Sequence, residues 1–269
     1  MNSEVIDANK RVHSSLILSG EYLKSPHRSV ESAQRVRSIL GDLGFSSPAP
    51  LHLDIGCGDG FMFECKPEKW VSHGVDATPE MLSVCSKAHT SVRLHEGLAE
   101  NLPFEDSIFD VVTCYSFLDH LESTERFYSE AMRVLKPCGY FYFGLSPNRS
   151  FYISLIQSRH FELSDYLKSV VDIEIEFQKA FNDGTYYEEK FGINKEDLFR
   201  CEPGKSIDKG LSPLEEQSKL EALGIRQIKI VYEWLVQQNR HDSSVTKTMT
   251  DLLPFSSSCF KYFDLLGIK

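Results

Sequence analysis

None of the seven cysteines stands in a C-x-x-C pair or at a metal-ligand spacing, which leaves no basis for a zinc-type cluster or a paired redox motif. No metal is expected, and scattered thiols of this kind suit a reducing compartment. No apolar run approaches the length of a membrane span. The opening residues, MNSEVIDANKR, are acidic and polar where a secretory leader is basic and then apolar. A cytoplasmic protein without a membrane span is the expectation, and Asn148-Arg149-Ser150 then matches a glycosylation sequon by chance. Positive charge is also in deficit. Acidic side chains number 39 against 29 basic, a formal net charge of -10. No stretch gathers the basic residues into a stripe, so nucleic acid is not an expected partner.

What remains is the composition of an ordinary globular protein, 41% apolar and 25% charged over 269 residues. That length accommodates one large domain, or one domain with an attached subdomain. Apolar residues at Val30, Ala33, Val36, Ile39, Leu40 and Leu43 have helical spacing with one buried stripe. From residue 51 a rhythm follows: strand 51 to 55, helix 61 to 69, strand 71 to 75, helix 79 to 88, strand 91 to 95, strand 109 to 114, helix 122 to 134 and strand 139 to 145. Pro137 and Gly139 punctuate the last helix and strand. Short apolar strands alternating with amphipathic helices predict an α/β fold, an open doubly wound and mostly parallel sheet covered on both faces.

Outside that stretch the pattern is less regular. The segment VHSSLILSGEYLKS predicts a short amphipathic helix folded over a site, with Leu16, Ile17, Leu18 and Tyr22 as closing residues. Residues 151 to 200 are rich in Phe, Tyr and acids, Glu174, Glu176, Glu188 and Glu189 among them, and read as an insertion or lid. SPLEEQSKLEALG is a capped helix ending at Gly224, and IRQIKIVYEWLVQ alternates as a later strand, with the last 30 residues unplaced.

The chemistry is concentrated in LHLDIGCGDG at residues 51 to 60. A glycine-rich turn between the first strand and first helix lets a ligand approach the backbone. Close strand-helix packing is the simpler alternative. The spacing is G-x-G-x-G, not the G-x-G-x-x-G of dinucleotide sites, and Asp54 precedes the first glycine by two positions. A carboxylate there repels a pyrophosphate and suits a cationic group. Asp76, ending the next strand, is placed to accept from both hydroxyls of a ribose. A nucleoside with a cationic or amino-acid arm satisfies both acids.

Four ordered blocks extend this reading: LHLDIGCGDG, HGVDATPEMLSVC, GLAENLPFEDSIFDVVTCYSFLDHL and EAMRVLKPCGYFYF, together running from Leu51 to Ser146. They resemble the class I S-adenosylmethionine-dependent methyltransferases, particularly the small-molecule branch that includes the ubiquinone and menaquinone biosynthesis enzymes. The resemblance implies a Rossmann-like, seven-stranded sheet, divided as an N-terminal helical cap at 1–45, a cofactor-binding core at 46–148, a substrate-lid insertion at 149–210 and the rest of the core at 211–269. It implies S-adenosylmethionine as cofactor, with Asp54, Gly56 and Gly58 around the methionine moiety and Asp76 on the ribose. Ala77 and Met81 flank the adenine, Met81 being equally readable as plain core, and the backbone of Tyr115 lines the methionine side. One departure stands out: where the family carries an acid for the adenine amino group, this chain has Leu98, leaving backbone groups of Leu98 and Ala99 to read the adenine edge.

Methyl transfer from a sulfonium needs alignment, exclusion of water and management of the acceptor's proton. Histidine is the side chain that titrates near neutrality, and His120 follows the fourth strand at the expected mouth of the site, so it is the candidate general base for a hydroxyl acceptor; a structural role is the alternative. Asp119 is a possible orienting acid, although sequence neighbours point apart. Of the other histidines, His13, His27, His52, His73, His89, His95 and His241 read as surface residues, and His160 is noted only for its place beside Phe161 in the expected lid. Phe151, Tyr152, Ile153 and Phe161 suggest a small apolar or aromatic acceptor. The sequence leaves two other readings open, a cyclisation or rearrangement without methyl transfer and a non-catalytic binding protein.

Overall fold

The computed structural model describes residues 3–157, 185–204, 210–233 and 260–269, with the single positions 168 and 172. Leu51–Ile55 (β1), Val71–Asp76 (β2), Arg93–Glu96 (β3), Phe109–Tyr115 (β4) and Leu135–Pro147 (β5) pair in parallel. Gln227–Glu233 (β6) and Tyr262–Ile268 (β7) complete the sheet in the order β3-β2-β1-β4-β5-β7-β6. β7 runs antiparallel to both its neighbours. The chain thus winds outward from β1 to β3 and returns to β4, so the order reverses between β1 and β4. In an open α/β sheet this reversal opens a crevice beyond the strand carboxyl ends, where ligands bind.

The described helices are Ser3–Leu18 (α1), Val30–Gly41 (α2), Phe61–Cys65 (α3), Pro79–Ala88 (α4), Thr124–Val134 (α5), Arg149–Gln157 (α6), Thr185–Phe191 (α7), Lys195–Cys201 (α8) and Pro213–Ala222 (α9). Strand alternation divides the core into two layers. Leu53, Val112, Phe141 and Phe143 pack with Phe127 and Ala131 of α5 and Leu220 of α9. On the opposite face Val111 and Tyr142 pack with Val36 and Leu40 of α2 and Met62 of α3. The Ser29 side chain caps α2 by accepting from Ser32 N–H, and Ser212 caps α9 by accepting from Glu215 N–H.

Several boundaries depart from the sequence pattern. α3 ends at Cys65 because Lys66 is extended and Pro67 follows. β5 begins at Leu135, directly after α5, although Pro137 suggested a turn. Leu135 is fully buried and pairs with Phe109 before a register shift, so strand pairing prevails and the proline falls at the irregularity. The C-terminal residues, unplaceable by pattern, supply β7 in the middle of one half of the sheet. There Asp264, fully buried, accepts from Leu145 N–H at 2.7 Å and pairs with Arg35 of α2 at 2.5 Å. Among the described residues no helix is long and apolar enough to cross a membrane.

Candidate functional site

Gly56, Gly58 and Gly60 follow β1, all with left-handed backbones at φ of +68°, +50° and +102°. The three positions are bare for different reasons. A Cβ at Gly56 would overlap the Phe117 ring, and one at Gly60 would overlap His89. Only at Gly58 does a Cβ meet nothing but the far end of a side chain, the Tyr22 hydroxyl at 3.3 Å. Gly56 and Gly60 are therefore explained by packing, while at Gly58 only the tip of Tyr22 stands near. Val75 at the end of β2 secures the turn, its carbonyl accepting from Gly56 N–H at 2.8 Å and Cys57 N–H at 3.0 Å.

Asp76 ends β2 with both carboxylate oxygens engaged by backbone. Oδ2 accepts from Gly58 N–H and Oδ1 from Thr78 N–H, each at 2.8 Å. The Thr78 side chain also acts on this carboxylate as a hydrogen-bond partner, and the acceptor capacity that remains is what a diol could use. Burial raises the Asp76 pKa, against the lowering effect of those two N–H groups. Asp54 lies deeper, 1% exposed, at the end of β1. Its Oδ1 accepts from the Thr113 hydroxyl at 2.6 Å. Burial pushes its carboxyl up to about 8, with Thr113 opposing and the neighbouring Asp76 charge adding to the rise.

These strand ends form one wall of a cavity of about 720 Å³, measured out to its open mouth. Gly56, Gly58, Asp76, Ala77, Met81, Leu98, Ala99, Tyr115 and His120 all line it, whereas Asp54 stands behind the turn. Met81 is at the same time almost wholly buried, part of the core as well as of the cavity wall. Leu98 closes a tight turn in which its carbonyl accepts from Asn101 N–H at 3.1 Å. Tyr115 is 8% exposed, its ring 4.9 Å from that of Phe61, and it joins the α2 layer of the core. Ser116, which also lines the cavity, has φ +51°, a left-handed conformation uncommon for a residue other than glycine and concentrated at functional sites.

The facing wall comes from the N-terminal helix. Val5, Ala8, Val12 and Ile17 of α1 are buried, and Ala8 and Val12 pack with Leu198 and Cys201 of α8. Ile6, Asn9 and His13, spaced three and four apart on another stripe, line the cavity together with Tyr22. Arg11 fixes the helix with a two-pronged pair to Asp197, at 2.9 and 2.6 Å. Arg28 pairs with Asp59 of the glycine turn and with Glu64 at 3.0 Å, tying the same segment to the base of the site. Burial raises the Asp59 carboxyl to about 6, while Arg28 acts to lower it.

His120 is buried under this cover. Its Nδ1 lies 3.0 Å from the Cys201 carbonyl oxygen, and its ring is edge-on to His13 at 4.9 Å. A carbonyl only accepts, so Nδ1 carries a hydrogen, and in the neutral ring the lone pair is then on Nε2. Cys201 and Glu202 also stand beside His120, with ligand-type atoms within 4.8 Å of one another. Asp119 is not hydrogen-bonded to His120; it is 3% exposed, with Oδ1 buried and unpartnered.

The sequence reading of the other histidines needs correction. His13 faces the site, a role signalled only by its spacing from Ile6 and Asn9. His52 is not a surface residue but is fully buried inside the sheet, because β1 is covered on both faces. Leu18, expected to close the site, is 76% exposed. Phe151 and Tyr152 are buried without lining the cavity, and Ile153 is exposed. Phe161, His160, His241, Glu174 and Glu176 lie outside the described residues.

Residues 53–143 match the family described as methyltransferase domain. The chain is 40% identical over 95 residues to the uncharacterized methyltransferase YcgJ of Bacillus subtilis, covering 33% of this chain and 38% of that protein. It is 34% identical over 96 residues to the demethylmenaquinone methyltransferase of Chlorobaculum parvum, covering 36% and 40%. The matched region thus spans about two fifths of these curated relatives. A crystal structure from Thermotoga maritima, titled a SAM-dependent methyltransferase and possible histamine N-methyltransferase, aligns with TM-score 0.55 at 18% identity, over 97% of this chain and 99% of that one, and shares the fold.

Proposed function

We propose that the whole chain transfers a methyl group from S-adenosylmethionine to a small apolar or aromatic acceptor, at a hydroxyl oxygen; the match of residues 53–143 to a methyltransferase domain supports the reading. The residues suit that cofactor. Asp76 borders the cavity with acceptor capacity for a diol, Gly58 lies beside it, and Ala77, Met81, Leu98 and Ala99 make an apolar slot for a flat base. When bound, the cofactor supplies an electrophilic methyl group on a sulfonium. The protein's part is then alignment, dehydration and proton removal. α1 and Tyr22 exclude water from the mouth, and Nε2 of His120 takes the acceptor proton while the Cys201 carbonyl holds the ring.

The observation carrying the hydroxyl reading is the fixed tautomer of His120 in the cavity wall. The apolar acceptor rests on Ile6, Tyr22 and Phe117 at the same cavity, and it agrees with the demethylmenaquinone in the name of the Chlorobaculum relative. A reducing, cytoplasmic setting accompanies the reading, since Cys57, Cys65, Cys85, Cys114 and Cys201 are buried free thiols.

The test begins with S-adenosylhomocysteine titrated calorimetrically into wild type and Asp76→Ala, followed by a screen of hydroxylated aromatic acceptors with labelled methyl donor. Stoichiometric binding that Asp76→Ala abolishes, and label transfer that His120→Ala slows at least about a hundredfold, are expected. Binding with transfer unaffected by His120→Ala overturns the oxygen-base chemistry alone. Absence of binding in two independent assays overturns the cofactor reading.

A further inference from the structure

Ser72, His52, Thr113 and Asp54 form an unbroken file of buried polar side chains across β2, β1 and β4. Their exposures are 3%, 0%, 0% and 1%. Ser72 Oγ lies 3.1 Å from His52 Nδ1, His52 Nε2 lies 2.8 Å from Thr113 Oγ1, and Thr113 Oγ1 lies 2.6 Å from Asp54 Oδ1. The ring is enclosed at its other edges by Phe63 and Trp70, with centroids at 5.9 and 5.3 Å. Each link is a direct contact, so the hydrogens of the file follow from its end groups.

An ionised Asp54 can only accept, so the Thr113 hydroxyl donates to it. Thr113 oxygen then accepts from Nε2–H of His52, and Nδ1, left with its lone pair, accepts from the Ser72 hydroxyl. Every donor points the same way, toward Asp54. Each bond polarises the next, and a charged acceptor at the end gains most. The file occupies Oδ1 only. Among the described residues Oδ2 has no hydrogen-bond partner.

We propose that His52 is a positioning residue for the cofactor's cationic arm: through Thr113 it favours the ionised, Oδ1-anchored form of Asp54 and leaves Oδ2 for an ammonium group or the water beside it. This rests on the proposed cofactor reading for its ligand, but not for the direction of the file. Burial, with contributions from Lys66 and His73, lowers the His52 pKa to about 3, so the ring stays neutral and can signal only by which nitrogen carries its hydrogen. The other ionisable groups around Asp54 are Asp76, Cys57, Cys65 and Cys114; burial raises the Cys65 and Cys114 thiols, and a hydrogen bond with Cys85, then burial, raises Cys57.

Two measurements test the proposal. The first is nitrogen NMR of histidine-labelled, ligand-free wild type at pH 9, where the Nε2–H tautomer of His52 is expected; a dominant Nδ1–H tautomer overturns the proposal whether or not any nucleoside binds. The second is S-adenosylhomocysteine affinity against pH for wild type, His52→Phe and Thr113→Ser. His52→Phe is expected to weaken binding about tenfold at pH 7, one pKa unit's worth, and to move the midpoint of the profile upward. Thr113→Ser, which keeps the hydroxyl, restores affinity to within about twofold of wild type. If His52→Phe does not fold, Thr113→Val cuts the same link while retaining the ring and volume, and the same loss is expected. Equal affinity and equal midpoint in the variant that cuts the file overturn the proposal, leaving a histidine that merely fills the core. Failure of wild type to bind S-adenosylhomocysteine counts against the cofactor reading and leaves the tautomer measurement to decide the file.

Discussion

Raising the pH should tighten the binding of S-adenosylhomocysteine, and the buried carboxyl of Asp54 sets the size of the effect. Burial pushes this group up to about 8, so at pH 7 about one molecule in eleven carries it ionised. A cationic amino group selects that fraction. Apparent affinity at pH 7 is then about elevenfold weaker than on the plateau above the pKa, and it falls about tenfold further for each unit below. Binding at pH 7 must accordingly release about 0.9 proton. Calorimetry in two buffers of different ionisation enthalpy measures that release directly, and repeating it from pH 6 to 9 gives the profile. Asp54→Asn should flatten the dependence; what persists belongs to Asp76, which burial also raises. A pH-independent dissociation constant with no proton exchange in the wild type refutes the reasoning. The sign for folding is opposite. The folded, ligand-free protein holds the Asp54 proton more tightly than the unfolded chain, so this group's contribution to stability declines as pH rises from 3.8 toward about 8.

Leu98→Asp places an acid where the resemblance implies one, and S-adenosylhomocysteine should bind about threefold to tenfold tighter, the gain of one hydrogen bond, with no change leaving the adenine edge elsewhere. Gly58→Ala puts a side chain on a left-handed backbone at 3.3 Å from the Tyr22 hydroxyl. A loss of about 1–2 kcal/mol in chemical denaturation is expected together with weaker ligand binding, and wild-type stability contradicts it. Asp264→Ala removes the acceptor shared by Arg35, Leu145 N–H and the Tyr142 hydroxyl. Arg35 keeps its ion pair with Glu233, so a loss of about 2–4 kcal/mol is expected, from Leu145 N–H and the Tyr142 hydroxyl left buried without an acceptor; it is read from the urea midpoint, and a shift under about 1 kcal/mol argues against β7 being held this way.

The central fold and the floor of the site are legible in the sequence because their signals are local. Strand and helix periods between residues 51 and 146 give the parallel half of the sheet, and Asp54, Gly58 and Asp76 announce their positions through a turn only a few residues long. The same glycines show the limit of that legibility. Their presence marks a tight turn, yet Phe117 and His89, distant in sequence, decide that Gly56 and Gly60 are bare for packing and that Gly58 faces the cavity. Ile6, Asn9 and His13 make an unremarkable helical stripe until α1 folds across the strand ends. His52 has no local mark at all. Its burial exists because β1 is covered on both faces, and its partners because β2 and β4 flank it, bringing Ser72 and Thr113 to its two nitrogens. β7 depends likewise on pairing with β5 across more than a hundred residues. Short-range periodicity and turn chemistry therefore determined the scaffold and its two acids, whereas the cover, the buried file behind Asp54 and the final strand were decided by tertiary packing, which joins residues that no local pattern connects.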